Sequence, residues 1–162
     1  MIAATDFRDA LKDFASGVTV ITSLDINDEP VGATVSAFTS LSVDPPLILV
    51  CLRDESRTTA AIRSRGAFTV HFLDTTQAEW AQKFAMDRPD KFDGLPYSIN
   101  DLGVPCLDDS RRCLECRLDH EYEGGDHFIF IGLVEGSRLR EDFQPLLYSA
   151  RHYYGLGAEV AV

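Results

Sequence analysis

The sequence predicts a mainly β fold, a barrel with a few short flanking helices, and two observations support this prediction. Short segments rich in apolar and β-branched residues recur along the chain between turn residues, and few helical patterns separate them. The glycine pair Gly155 and Gly157 has no predicted strand before it and no predicted helix after it, so it is not a dinucleotide-binding fingerprint. A parallel, doubly wound sheet is therefore not expected.

Each element follows from a local pattern. Apolar residues between Phe7 and Phe14 recur at helical spacing and predict an amphipathic helix that ends at 16–17. Ser56 is a typical helix cap and Gly66 a typical helix end, which predicts a second helix between them. A third helix is predicted at 77–85, and the predicted strands are 18–24, 32–35, 47–52, 68–72, 113–123, 127–139 and 146–148.

Composition limits the classes of function. The 162 residues fit a single domain, 1–162, and 45% hydrophobic with 25% charged residues is typical of a globular protein. A net charge of −11 without a basic run argues against nucleic acid as a partner. The longest apolar run, 47–52, is too short to cross a membrane, and Asp6 stands where a signal peptide would be basic. We therefore expect a cytoplasmic protein whose four cysteines stay reduced.

Small and hydroxyl-bearing residues crowd the segment 32–52 before it becomes apolar. The hydroxyls are too many for an ordinary core strand, and the small residues leave room for a flat ligand against exposed backbone. This segment predicts a ligand-binding wall. Its hydroxyl residues are Thr34, Ser36, Thr39, Ser40 and Ser42, and its small residues include Gly32, Ala33 and Ala37.

An anion site is predicted where the second helix begins. A helix amino terminus offers free backbone N–H groups and a partial positive charge. Ser56, Thr58 and Thr59 add hydroxyl donors, and Arg53 and Arg57 add charge. The alternative is that Ser56 is merely a cap and that the two arginines are solvated.

The segment 36–47 reads SAFTSLSVDPPL, which resembles the signature of the short-chain flavin reductases. The resemblance extends over nearly the whole chain. Its further motifs are FASGVTV at 14–20, SRT at 56–58, GAFTV at 66–70, FA at 84–85, KF at 91–92, LEC at 114–116, GDH at 125–127 and PLLY at 145–148.

The resemblance implies an FMN-binding split β-barrel of Greek-key type that forms a homodimer. Its implied activity is the reduction of FMN or FAD by NADH or NADPH, with nicotinamide bound without a Rossmann fold. Reduced flavin would then pass to a separate flavin-dependent monooxygenase. Two alternatives remain: a split-barrel flavoprotein that keeps its flavin and itself oxidises an organic substrate, and a non-catalytic flavin- or haem-binding module.

The resemblance also implies roles for individual residues. His127 would orient the nicotinamide, although a lone histidine is more often structural. Tyr153 would lie near the nicotinamide, or else simply pack in an aromatic tail. Phe84 and Phe92 flank a segment that covers the flavin, or that is merely anchored by these two rings. The implied flavin wall is Thr34, Val35, Ser36, Ala37, Ser40, Ser42, Cys51, Leu52 and Arg53, with Ser56, Arg57 and Thr58 at the phosphate.

No metal site is predicted. Cys113 and Cys116 form a CxxC pattern, but on a strand their side chains point to opposite faces, which is unsuitable for chelation. Cys106 lies in a predicted loop. Separately from the cysteines, Phe38 is expected to be a core residue.

Overall fold

The computed structural model describes residues 1–158, so residues 159–162 of the predicted domain lie outside the described part. The helices are α1 (Ala4–Leu11), α2 (Arg57–Arg65) and α3 (Ala78–Ala85), and a 3-10 turn (Thr75–Gln77) precedes α3. The strands are β1 (Ser16–Gly17), β2 (Thr19–Leu24), β3 (Pro30–Val35), β4 (Phe38–Ser42), β5 (Leu47–Arg53), β6 (Ala67–Phe72), β7 (Tyr97–Ile99), β8 (Pro105–Leu107), β9 (Arg112–Gly124), β10 (His127–Leu139), β11 (Leu147–Ser149) and β12 (His152–Tyr154). None of the helices in residues 1–158 has the length and apolarity that a membrane span requires.

The main sheet is antiparallel and has seven strands in the order β3-β2-β6-β9-β10-β5-β4. Strand β3 also approaches β5, which brings the two arms of the sheet together. Smaller sheets, β1-β11-β12 and β7-β8, accompany it. The predicted mainly β barrel class is confirmed.

Two apolar clusters cover opposite faces of the sheet, and β2 separates them. Ile21 packs in one cluster with Phe68 and Phe130, whereas its neighbour Val20 packs in the other with Phe84. All six residues of β2 are buried because neighbouring side chains on a strand point to opposite faces and both faces are covered. Phe38, expected in the core, packs against the first cluster.

Two local predictions need correction. Helix α1 ends at Leu11, before the predicted 16–17, and it buries no side chain against residues 1–158. The segment 38–42, where no strand was predicted, is strand β4. It pairs with β5 at the edge of the sheet, where its exposed hydroxyl residues lie in water.

A buried polar contact joins β2, β6 and β8. The Thr22 hydroxyl donates to the Pro105 carbonyl at 2.6 Å, so its 3.0 Å contact with His71 is a hydrogen bond that Nε2–H donates. Burial lowers the pKa of His71 to about 3, and the ring is therefore neutral at neutral pH. Its other nitrogen, Nδ1, has no hydrogen-bond partner among residues 1–158.

Candidate functional site

A cleft of about 590 Å³ opens where β3 and β5 end, α2 begins and the chain leaves α3. Its volume lies within the usual range for small-molecule sites. Most of the predicted site residues line it: Thr34, Val35, Ser36, Ala37, Cys51, Leu52, Arg53, Ser56, Arg57, Thr58, Phe84 and His127.

Four predicted residues do not line this cleft. Ser40 and Ser42 lie on the edge strand β4. Phe92 packs edge-on against Phe84, with ring centroids 5.1 Å apart, so it supports the cleft from behind. Tyr153 packs against Tyr148 across the β11–β12 pair, and burial raises its pKa.

The first wall of the cleft is the end of β3. Ser36 and Ala37 are exposed, and the Ala37 carbonyl accepts a hydrogen bond from the Cys51 amide at 3.0 Å, which ties this wall to β5. The Thr34 hydroxyl donates to the Ala81 carbonyl at 2.7 Å. Thr34 therefore holds α3 in place with its side chain and offers its backbone to the cleft.

The second wall is the start of α2, where Ser56 is the helix cap. Its Oγ accepts from the Thr59 amide at 3.0 Å and lies 3.0 Å from the Thr59 hydroxyl, which donates to the Arg53 carbonyl at 2.7 Å. These hydroxyls are engaged in the cap, so they are not the free donors that the sequence predicted. The buried Thr58 and the first-turn amides of Arg57 and Thr58 remain for an anion.

Two arginines make this end of the cleft positive. Arg53 and Arg57 are exposed, and Arg57 lies 3.4 Å from Asp25. An exposed pair of this kind is weak, so Arg57 can exchange Asp25 for a ligand anion at little cost. The combination of helix amides and guanidinium groups suits a phosphate.

The segment 86–91 forms the third wall, and Lys91 fastens it. Its ammonium group donates to the carbonyls of Gly32 at 2.9 Å and of Phe84 at 3.2 Å, and burial lowers its pKa. Phe84 lies so close to β3 that a Cβ on Gly32 would be 2.8 Å from the Phe84 ring. The KF motif in the sequence carries no sign of this clamp, because both acceptors are backbone carbonyls, and Gly32 lies 59 residues away along the chain.

Replacing Lys91 with methionine should loosen this wall. Methionine keeps most of the apolar stem but removes both hydrogen bonds, so we expect the free energy of unfolding to fall by about 1.5–3 kcal/mol. Amide hydrogen exchange at 86–90 should become at least about tenfold faster. Lys12→Met, at an exposed position outside the cleft lining, is the control. Equal exchange rates in both variants would show that Lys91 is no clamp.

His127 reaches the cleft through strand register. It is the partner of Arg53 in the β5–β10 ladder, and the turn before it contains Gly125 at a positive φ of 76°. The His127 Nδ1 lies 2.7 Å from the Asp126 carboxylate, and this hydrogen bond lowers the pKa of Asp126. Because Nδ1 is engaged, Nε2 is the nitrogen left for a ligand.

Comparison with known proteins agrees with this geometry. Residues 11–157 match the family described as "Flavin reductase like domain". The reductase subunit HsaB of a flavin-dependent monooxygenase from Rhodococcus jostii is 38% identical over 157 residues, which cover 96% of this chain and 80% of that protein. An NADH:FMN oxidoreductase from Rhodococcus erythropolis is 34% identical, with 94% of this chain and 82% of that protein covered.

A solved structure is similar over the same length. The NADH:FAD oxidoreductase SgcE6 of Streptomyces globisporus, in complex with NAD and FAD fragments, superposes with a TM-score of 0.89 at 30% identity and covers 99% of both chains. The matched region contains every residue that lines the cleft.

Proposed function

Since the chain belongs to the flavin reductase family and is an NAD(P)H-dependent flavin reductase, we propose that the cleft between β3, β5, α2 and the segment 86–91 is its flavin site. The substrates are FMN or FAD with NADH or NADPH, and the reduced flavin goes to a separate flavin-dependent monooxygenase. The observation that carries this assignment is the pairing of an exposed backbone wall with a positive helix start in one cleft.

The donor set fits a flavin nucleotide. The wall at Ser36 and Ala37 offers backbone and small side chains to a flat ring, and Arg53, Arg57 and Thr58 offer donors to a phosphate. In a chain with net charge −11, such a local cluster is needed to hold an anion. The nucleotides themselves supply the hydride chemistry, in which nicotinamide is the donor and flavin the acceptor.

The contribution of the chain is orientation and exclusion of water. Lys91 and Phe84 hold the segment 86–91 beside the cleft, which limits the access of water. His127, held by Asp126 at the same cleft, orients the nicotinamide. Neither His127 nor Asp126 has to exchange a proton in order to orient the nicotinamide.

The decisive experiment follows NADH and NADPH absorbance with added FMN or FAD. We expect saturable oxidation that depends on added flavin, and the best pair identifies the preferred substrates. Gel filtration should separate flavin from protein, as release to a monooxygenase requires. Flavin that stays bound without turnover of free flavin would favour an oxidase that keeps its flavin, and flavin binding without any oxidation would favour a binding module.

Replacing His127 with alanine should lower kcat/KM for NADH by about ten- to hundredfold, because the nicotinamide loses a positioning contact. The KM for flavin should stay the same. His120 offers a matched control, since it also pairs with a preceding aspartate, Asp119 at 2.6 Å, yet lies outside the cleft lining. If His120→Ala lowers kcat/KM equally, His127 has no special place at the nicotinamide.

The chain also offers a surface for the homodimer that we propose. Leu41 and Val43, in and after the edge strand β4, are 50% and 93% exposed. An exposed apolar edge of a sheet is a typical place for association. Light scattering should give twice the mass of the chain, and Val43→Asp should shift the protein towards the monomer; a monomeric wild type would refute the proposal.

We place this activity in the cytoplasm. The four cysteines Cys51, Cys106, Cys113 and Cys116 are free thiols, which accords with a reducing compartment. Fractionation of the cells that produce the protein would test this placement.

A further inference from the structure

Three buried side chains meet at a point that the flavin cleft does not include. One imidazole nitrogen of His71 and the Sγ atoms of Cys106 and Cys113 all lie within 4.8 Å of one another. The two sulfur atoms are 3.5 Å apart. All three residues are at most 1% exposed.

Strand pairing explains how the three side chains meet. His71 on β6 and Cys113 on β9 are direct partners in the antiparallel ladder, so their side chains stand on the same face of the sheet. Cys106 comes from β8, which packs on β2 and β6. Cys116 of the CxxC pattern takes no part, because it lies in the apolar cluster with Phe68 on the opposite face, as the strand pattern predicted.

The hydrogen bonds prepare His71 as a ligand. Its Nε2–H donates to Thr22, which is itself fixed by the Pro105 carbonyl, so the neutral ring carries its free lone pair on Nδ1. Histidines that bind metals almost always donate their other ring N–H to such a partner. A buried Nδ1 without a hydrogen-bond partner among residues 1–158 is costly unless something else uses its lone pair.

We propose that His71, Cys106 and Cys113 form a binding site for a thiophilic cation, zinc or copper(I). Two thiolates and one imidazole are the ligands that these cations prefer. Because the three ligand atoms are no more than 4.8 Å apart, a point equidistant from them lies within about 2.8 Å of each. Each ligand atom would move about 0.5–0.8 Å towards that point to reach the usual zinc distances of about 2.3 Å for sulfur and 2.0 Å for nitrogen.

The charges are also favourable. A divalent cation neutralises two thiolates, so the bound site carries no net charge into the interior. Arg138 on β10, the ladder partner of Cys113 on its other side, supplies a further positive charge, as a copper(I) site with two thiolates requires. Binding the cation joins β6, β8 and β9 and should therefore stabilise the fold.

The test measures metal bound to untagged protein that was produced in medium enriched in zinc or in copper and purified with a reductant. We expect about one metal ion per chain in one of the two media, which identifies the cation. Cys51→Ser, which removes a thiol outside the cluster, should keep the metal. Cys106→Ser and Cys113→Ser should lose it.

His71→Gln keeps an N–H donor for Thr22 but removes Nδ1, so it separates ligation from folding. We expect it to fold and to bind the cation at least about tenfold more weakly. Reduced wild-type protein refolded with cobalt(II) should show thiolate-to-metal charge-transfer absorption, and Cys106→Ser should not. The proposal is overturned if wild type holds no more metal than Cys106→Ser in either medium, or if the two thiols are recovered as a disulfide.

Discussion

Replacing Gly32 with alanine is expected to lower the free energy of unfolding by about 1–3 kcal/mol and kcat/KM for flavin by at least about tenfold. The added Cβ would lie 2.8 Å from the Phe84 ring and 3.0 Å from the Ile21 carbonyl oxygen. Phe84 is 1% exposed and cannot swing away, so the ring must move together with the end of α3. The third wall of the cleft would then shift relative to the first. Urea unfolding and steady-state kinetics measure the two effects.

The cause can be isolated with two further variants. Gly17→Ala adds the same methyl group to a strand where no atom of residues 1–158, apart from its chain neighbours, lies within 4 Å of the new Cβ, so it should change neither quantity. Phe84→Leu removes Cε1, the ring atom nearest to the added Cβ, so the double variant with Gly32→Ala should lose less stability than the sum of the two single losses. Additive losses in the double variant, or equal effects of Gly17→Ala and Gly32→Ala, would argue against the close approach.

The sequence predicted the site best where the residues that form it are consecutive in the chain. The wall from Thr34 to Ala37 and the helix start from Arg53 to Thr58 each occupy one short segment, so composition alone indicated a ligand there. The resemblance to flavin reductases added His127, which reaches the cleft only through its register with Arg53. Most strands and the helices α2 and α3 were predicted close to their observed bounds, whereas α1 ends earlier than predicted.

The sequence could not show what a side chain does with its hydrogen bonds. Thr34 and Thr59 looked like ligand donors, yet their hydroxyls bind the carbonyls of Ala81 and Arg53. Ser40 and Ser42 share the hydroxyl-rich segment, but β4 places them along the sheet edge. In each case the deciding partner lies on another element, and residue type alone does not reveal it.

The sequence does not predict the cluster of His71, Cys106 and Cys113, for the same reason. The sequence predicts a loop at Cys106, whereas β8 is a short buried strand over the main sheet. The CxxC spacing joins Cys113 to Cys116, which strand geometry places on opposite faces, and does not reveal the partners of Cys113 on other strands. The spacing of metal ligands along the sequence is a useful signal on loops and helices. On a sheet, ligands from different strands are brought together by the register in which the strands pair.

The arginines at the start of α2 give the second large effect. Replacing Arg53 and Arg57 together with glutamine should raise the KM for FMN and for FAD by about ten- to hundredfold, because charge-assisted hydrogen bonds contribute about 1.5–3 kcal/mol. The fold should be unaffected, since both side chains are exposed and the ion pair that is lost within residues 1–158, Arg57 with Asp25, is weak. Steady-state kinetics with each flavin would measure the KM, and differential scanning calorimetry would measure the stability of the fold.

Riboflavin distinguishes the phosphate from the ring. It lacks the phosphate, so its KM should be the same for the wild type and for the variant, and already higher than that of FMN in the wild type. The double variant Arg8→Gln and Arg117→Gln removes the same charge from exposed positions outside the cleft lining, and its KM for FMN should change little. A comparable loss for riboflavin would mean that the arginines act on the flavin ring or on the shape of the cleft. A comparable loss in the control variant would mean that overall charge, and not the helix start, attracts the flavin.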